Sequence, residues 1–99
     1  MRAYTYILLC SGNKYYVGST TNLELRLKEH FAEADTLYGS RFTKGYKPIK
    51  LVYKEEYTTI AEAFKRERQL HDWSHAKKEA LIRGDFELLK SLSKTKGGS

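Results

Sequence analysis

The chain opens with a dense run of apolar and aromatic residues that is typical of a β-strand. Residues Ala3–Cys10 are rich in branched and aromatic side chains, and a turn-forming stretch at 11–13 separates them from a second apolar segment at 14–18. Two short segments of this kind around a tight turn predict a β-hairpin.

The length of that turn decides which side chains share a face of the hairpin. A three-residue loop places Leu8 opposite Tyr16 and Tyr6 opposite Gly18, so that the two tyrosines become diagonal neighbours on one face. A two-residue loop would shift the register and send them to opposite faces. We predict the three-residue loop.

A helix, a loop and a third strand are predicted next. Thr21 and Glu24 have the spacing of a capping box, which predicts a helix that runs to about Ala34. The polar, glycine-containing stretch 35–47 predicts a loop. A third strand is predicted over residues 49–57, and its side chains divide between two faces. We expect Ile49, Leu51 and Tyr53 on one face and Val52 on the other.

Capping signals predict three more helices after the third strand. The order of elements predicts an α+β domain, with a small three-stranded antiparallel β-sheet flanked by α-helices. We expect a single domain over residues 1–92 and a disordered polar tail over 93–99. The helix start and stop signals are Thr59 with Glu62 and an end near Trp73, Ser74 with Arg83 and Gly84, and Asp85.

Polar side chains interrupt the apolar stripe of the first predicted helix. Counted from Leu23 at helical spacing, the stripe contains Arg26 and His30 one turn apart. Either the two residues lie at the edge of the stripe and extend to solvent, as arginine commonly does, or they form part of a functional site.

The second predicted helix places a carboxylate on its apolar stripe. Glu67 lies between Ile60 and Phe64 on one side and Leu70 on the other. A buried carboxylate must be paired, protonated or bound to a cation. A structural salt bridge with Arg26 and a divalent metal site both meet this requirement, and the pattern leaves both open.

Composition narrows the class of protein. The 99 residues suffice for one core, and the single cysteine, Cys10, excludes an intramolecular disulfide and a cysteine-cluster zinc site. No apolar run is long enough to cross a bilayer and no signal-peptide pattern opens the chain, so we expect a cytoplasmic protein without a membrane partner. The net charge of +6 suits a nucleic-acid partner, although solubility alone would also account for it.

The unusual polar residues occur in the order and spacing of a known family. The chain resembles the GIY-YIG nuclease superfamily from about residue 4 to residue 82, and within it the small stand-alone bacterial branch. The two motifs read T-Y-I and Y-V-G, so that Thr5 replaces the first glycine of the family pattern. The residues that carry the resemblance are Tyr6, Tyr16, Arg26, His30 and Glu67.

The resemblance implies a metal-dependent endonuclease that hydrolyses nucleic-acid phosphodiester bonds and selects structure rather than sequence. Glu67 would bind one Mg²⁺ or Mn²⁺ ion, and no organic cofactor is implied. Arg26 would contact a phosphate oxygen, and its charge would help to ionise a nearby phenol. Tyr6 would be the general base, with Tyr16 and His30 positioning the water; His30 is the alternative base, because its ordinary pKa is closer to neutrality.

Basic residues in the loop and the later helices are the candidate contacts to the nucleic-acid backbone, with DNA the expected substrate ahead of RNA. Such contacts are insensitive to base sequence and weaken with salt. A non-catalytic nucleic-acid-binding module that keeps the same scaffold is the alternative, and a protein-interaction domain for an acidic partner is a weaker one. The candidate contacts are Arg41, Lys44, Lys47, Arg66, Lys77 and Lys78.

Overall fold

A three-stranded antiparallel sheet with helices on both faces organises the chain, as predicted. The structure, a computed structural model, describes residues 2–33 and 47–94. The strands lie in the order β2-β1-β3, so that β1 is central and β2 is an edge strand. The elements are β1 (Ala3–Cys10), β2 (Lys14–Thr20), α1 (Leu23–Glu33), β3 (Pro48–Tyr57), α2 (Ile60–His71), α3 (His75–Arg83) and α4 (Phe86–Lys94).

The hairpin has the predicted three-residue turn and the predicted register. Residues Ser11–Asn13 form a short 3-10 turn, in which Gly12 and the following Asn13 adopt positive φ angles. Tyr6 pairs with Gly18 and Leu8 pairs with Tyr16. The two tyrosines therefore lie on the same face of the sheet.

Most of the predicted caps are confirmed. Thr59 and Glu62 form a reciprocal capping box at the start of α2. The Ser74 hydroxyl accepts from the Lys77 amide at the start of α3, and Gly84 ends that helix in the left-handed conformation. The last helix, α4, continues to Lys94, two residues past its predicted domain boundary.

The predicted capping box at the start of α1 is wrong by one residue. Asn22, and not Thr21, caps the helix: its side-chain oxygen accepts from the amide of Leu25 at 3.1 Å. The amide of Asn22 in turn donates to the hydroxyl of Thr20 at 3.0 Å. This local turn, which the last residue of β2 helps to form, outcompetes the Thr21–Glu24 spacing.

Alternation along β1 divides the core into two clusters, one on each face of the sheet. Tyr6, Leu8 and Cys10 form the buried centre of the α1 face, which Leu23 and Leu27 cover. The other face packs against α2, α3 and α4. Its buried centre consists of Ile7, Val17, Leu70 and Leu81, with Tyr15, Val52, Tyr53, Trp73, Ile82 and Leu89 packed around it.

The predicted alternation along β3 is wrong because the strand is irregular. Tyr53 pairs with Ile7 but Leu51 pairs with Leu8, so that one extra residue, Val52, is inserted between the two pairs. Leu51 consequently packs in the Tyr6 cluster, while Val52 and Tyr53 both pack in the Ile7 cluster. A second register shift follows nearer the start of the strand, where Ile49 is 55% exposed.

The predicted apolar stripe of α2 is also displaced. Ile60 and Phe64 are 45% and 49% exposed, whereas Ala63 and Leu70 are fully buried. Glu67 therefore lies at the border between the buried and exposed sides of the helix, and its side chain is 18% exposed. Contacts with the sheet determine which side of α2 is buried. Helical periodicity alone does not predict those contacts.

A polar clamp fixes α2 against β3. Arg66 donates from Nε and Nη2 to the two carboxylate oxygens of Glu55 at 3.0 and 3.1 Å, and the hydroxyls of Tyr53 and Tyr57 donate to the same oxygens. Burial opposes ionisation of Glu55, but the hydrogen bonds from Arg66 and both tyrosines hold its pKa below the ordinary value. The guanidinium also lies 5.1 Å from the centre of the Trp73 ring.

We expect the change Glu55→Gln to lower the free energy of unfolding by about 2 kcal/mol, because it leaves the half-buried Arg66 without its anion. The control is Glu56→Gln on the same strand. Glu56 pairs with Arg2 at the surface, where the two side chains are 47% and 71% exposed. Glu56→Gln should therefore lower the free energy of unfolding by less than about 0.5 kcal/mol. Urea unfolding of both variants measures the difference, and equal losses would contradict the clamp.

Among residues 2–33 and 47–94, no helix is both long enough and apolar enough to cross a membrane.

Candidate active site

Tyr6 lies at the centre of the sheet, with its ring directly across Gly18. A Cβ atom built on Gly18 would stand 2.5 Å from the Tyr6 hydroxyl oxygen and 2.6 Å from Cζ, closer than real contacts allow. The tyrosine is fully buried. Position 18 therefore has no room for a side chain, because the Tyr6 phenol occupies that space.

The neighbours of Tyr6 are two other predicted site residues. Its hydroxyl lies 3.0 Å from Nε2 of His30, which α1 presents to this face of the sheet. The Tyr16 ring stands edge-on to His30, with the ring centres 5.1 Å apart, and 6.4 Å from the Tyr6 ring. His30 is only 1% exposed. The predicted grouping of these three side chains is thus present.

Arg26 joins the cluster from one turn earlier in α1. Its side chain is 33% exposed and pairs with Glu29 at 3.2 Å. Both its positive charge and a hydrogen bond act on the Tyr6 phenol and favour the ionised form. Arg26 therefore extends from the buried phenol to the protein surface, where an anionic substrate could contact its guanidinium.

Burial keeps all three titratable rings neutral. Burial, and then the neighbouring Tyr16, raises the pKa of Tyr6 well above its ordinary value, and Arg26 offsets only part of this rise. The pKa of Tyr16 is also raised, by burial and then by the charge of Glu67. Burial, followed by the charge of Arg26, lowers the pKa of His30 to about 4. Arg26 favours the Tyr6 anion, as expected, but its effect is smaller than that of burial; the expected contribution of a bound metal stays a prediction.

The depressed pKa of His30 predicts a loss of stability in mild acid. Between its ordinary pKa of 6.5 and about 4, the unfolded chain binds a proton at His30 that the folded chain does not. The free energy of unfolding should therefore fall by about 1.5 kcal/mol as the pH drops from about 6.5 to about 5. Urea unfolding at both pH values measures it, with His30→Gln as the variant that should lose most of this dependence. An imidazole that titrates near its ordinary pKa by NMR would contradict the prediction.

Glu67 approaches from the other face of the sheet, at the edge strand β2. Its Oε1 accepts from the Ser19 hydroxyl at 2.5 Å, and Ser19 shares the α2 face with Val17 by strand alternation. The negative charge of Glu67 still raises the pKa of both Tyr6 and Tyr16. The five candidate site residues therefore do not share one face of the sheet: Tyr6, Tyr16, Arg26 and His30 lie on the α1 face, and Glu67 contacts the edge strand β2 from the α2 face.

Sequence reasoning missed two contacts of Glu67. Ser19 directly follows the second motif, and its orientation toward α2 follows from strand alternation. His71 lies four residues after Glu67 on the same helix, and its Nε2 is 3.2 Å from Oε2 of Glu67. Across the described ranges, no group of three or more histidine, cysteine, aspartate or glutamate side chains could hold a metal ion.

The residues predicted to contact the nucleic-acid backbone differ in exposure and in their side-chain partners. Lys47 is exposed, and Arg66 is engaged in the Glu55 clamp. Lys77 is half-buried, with its ammonium 4.4 Å from the centre of the Trp73 ring, and burial lowers the pKa of Lys78. Their contacts with nucleic acid stay predictions. Two further candidates, Arg41 and Lys44, lie outside the described residues.

Comparisons with known proteins agree with this arrangement. A family model described as the GIY-YIG catalytic domain matches residues 2–80. A UPF0213 protein of Syntrophus aciditrophicus is 41% identical over 84 residues, which cover 85% of this chain and 93% of that protein. A UPF0213 protein of Natronomonas pharaonis is 38% identical over 79 residues, covering 80% and 88%. The names of these relatives state no activity.

A solved structure shares the fold. The solution NMR structure of a UPF0213 protein from Bacillus halodurans matches with a TM-score of 0.52 and 32% identity, and the match covers 84% of each chain. The α+β architecture and the family to which the site residues pointed are therefore both confirmed.

Proposed function

The chain belongs to the GIY-YIG catalytic domain family, and from this premise we propose that it is a divalent-metal-dependent endonuclease that hydrolyses phosphodiester bonds, with DNA as its substrate. The observation that carries the proposal is the Tyr6–His30 contact, flanked by Tyr16 and Arg26 and under the charge of Glu67. Grouping a histidine, an arginine and a carboxylate around a buried phenol is costly for a core alone. Phosphodiester hydrolysis can use such groups as a proton acceptor, a phosphate-binding cation and a metal ligand.

Glu67 fits the role of metal ligand. Its carboxylate is a hard oxygen donor, is 18% exposed and is oriented by Ser19, so a hydrated ion can reach it. Mg²⁺ keeps several waters and commonly binds proteins through one or two carboxylates together with substrate phosphate oxygens. When bound, the ion would polarise the scissile phosphate and offset charge on the leaving oxygen.

Tyr6 and His30 would handle the proton of the attacking water as a pair. A free Tyr6 anion is disfavoured, because burial raises the pKa of the phenol. His30, with its pKa lowered to about 4, is neutral near pH 7 and can accept a proton at Nε2. Tyr6 would take the proton of water as it donates its own to His30, so no isolated phenolate forms. Tyr16 would hold the water from the side of β2.

Arg26 would bind the substrate phosphate. The planar guanidinium matches a phosphate oxygen pair, and its partial exposure leaves it open to an anionic ligand. The net charge of +6 would add sequence-independent attraction to a DNA backbone. Among the described candidates for those contacts, Arg66 is engaged with Glu55, which leaves Lys47, Lys77 and Lys78.

The decisive experiment compares wild type and Tyr6→Phe on labelled branched, single-stranded and duplex DNA and on RNA, with Mg²⁺, Mn²⁺ or EDTA. Phenylalanine keeps the ring against Gly18 and removes only the hydroxyl that contacts His30. We expect wild type to cut DNA with metal and not with EDTA, and Tyr6→Phe to be slower by about 10²-fold or more.

Binding should survive that change. Gel shifts in EDTA should give similar affinities for both proteins, because Arg26 and the lysines are unaltered. Equal cleavage by both would remove Tyr6 from the reaction. Binding without cleavage of any substrate by wild type would favour a nucleic-acid-binding module on the same scaffold.

A further inference from the structure

His71 contacts the carboxylate that we assign as the metal ligand. It lies one helical turn after Glu67, on the same side of α2, and its Nε2 is 3.2 Å from Oε2 of Glu67. The imidazole is 49% exposed. A histidine and a carboxylate separated by four residues can therefore present a nitrogen and an oxygen to one ion.

The separation of the two atoms suits a first-row divalent metal. With ligand distances of about 2.1 Å, two ligands lie about 3.0 Å apart at octahedral angles and about 3.4 Å apart at tetrahedral angles. The observed 3.2 Å falls between these values. An ion could bind both atoms with side-chain adjustments alone.

The surroundings leave such an ion accessible. Ser19 occupies Oε1 of Glu67, so that Oε2 is the oxygen left facing His71. His71, but not Glu67, also borders an open cavity of about 460 Å³, whose wall includes Lys65, Arg68 and Asp72. This space can admit, from the side of His71, the water or phosphate that would complete the coordination sphere.

We propose that His71 and Glu67 together form a two-ligand metal site that favours transition metals over Mg²⁺. The proposal rests on the proposed function only in assigning the ion a catalytic use. Imidazole is a good ligand for nickel and zinc, whereas magnesium prefers oxygen donors. Loss of the imidazole should therefore weaken binding of Ni²⁺ strongly, of Mn²⁺ moderately and of Mg²⁺ little.

Titration calorimetry of the tag-free protein with NiCl₂ and MnCl₂ tests this site without any nuclease assay. The variants are His71→Ala and Glu67→Gln, and the control is His75→Ala, which removes an exposed histidine that stacks on Tyr15. We expect His71→Ala to weaken Ni²⁺ binding at least about tenfold and Glu67→Gln to do the same, with His75→Ala unchanged.

NMR of the histidine rings provides a second readout. Substoichiometric Mn²⁺ should broaden the His71 ring signals before those of His75, and Glu67→Gln should remove this difference. Equal Ni²⁺ affinities for His71→Ala and His75→Ala, or wild-type affinity no greater than that of Glu67→Gln, would overturn the site. A protein that binds metal through this pair but cuts no nucleic acid would keep the site and refute the nuclease.

Discussion

Glu67→Gln should reduce DNA cleavage by about 10³-fold or more while leaving the fold intact. Glutamine has the same shape and can still accept from the Ser19 hydroxyl, but it lacks the charge that would hold a divalent ion beside the scissile phosphate. The amide group can still contact both Ser19 and a neutral His71, so the substitution leaves neither side chain without its partner. Single-turnover cleavage of a labelled DNA substrate measures the effect, and urea unfolding checks the fold.

A matched control separates catalysis from overall charge. Glu79→Gln makes the same change of formal charge at an exposed position on α3 and should cleave at the wild-type rate. Cleavage that is equal in wild type and Glu67→Gln would identify a contaminating nuclease and refute the proposed activity.

Gly18→Ala should both destabilise the protein and abolish cleavage. The new methyl group would stand 2.5 Å from the Tyr6 hydroxyl oxygen, and the ring, which is fully buried, would have to move. Overpacking of this kind typically costs about 1–3 kcal/mol. Any shift of the ring also breaks the 3.0 Å contact with His30, so cleavage should be lost even where the variant folds.

A double-mutant cycle tests whether Tyr6 is the cause. In a Tyr6→Leu background the tip of the ring is absent, so the alanine at position 18 should cost less than about 1 kcal/mol. Urea unfolding of the four proteins supplies the coupling energy. The same cost in both backgrounds would assign the effect to the backbone of β2 rather than to the ring.

Local signals in the chain were sufficient for most of the architecture. Strand-forming residues on both sides of a three-residue turn specify the hairpin, and this register alone places Tyr6 and Tyr16 on one face. The caps at Thr59 and Ser74 and the glycine at Gly84 mark helix ends, since each acts within one turn of the backbone. The order and spacing of the candidate site residues also indicated the family, which the family model confirms.

The sequence pattern did not predict features that depend on contacts between distant segments of the chain. The extra residue in β3 depends on pairing with β1, and it moved Tyr53 away from the face of Leu51. The rotation of α2 depends on contacts with the sheet, which exposed Phe64 and moved Glu67 to a border position.

The amino-acid order therefore determined which elements form, which tyrosines share a face and to which family the chain belongs. Only tertiary packing decided that Glu67 contacts β2 from the α2 face, that burial keeps Tyr6 and His30 neutral, and that Ser19 and His71 contact the carboxylate. The physical reason is range: caps and turns act over a few residues of chain, whereas burial and cross-sheet contacts depend on segments that meet only in the folded protein.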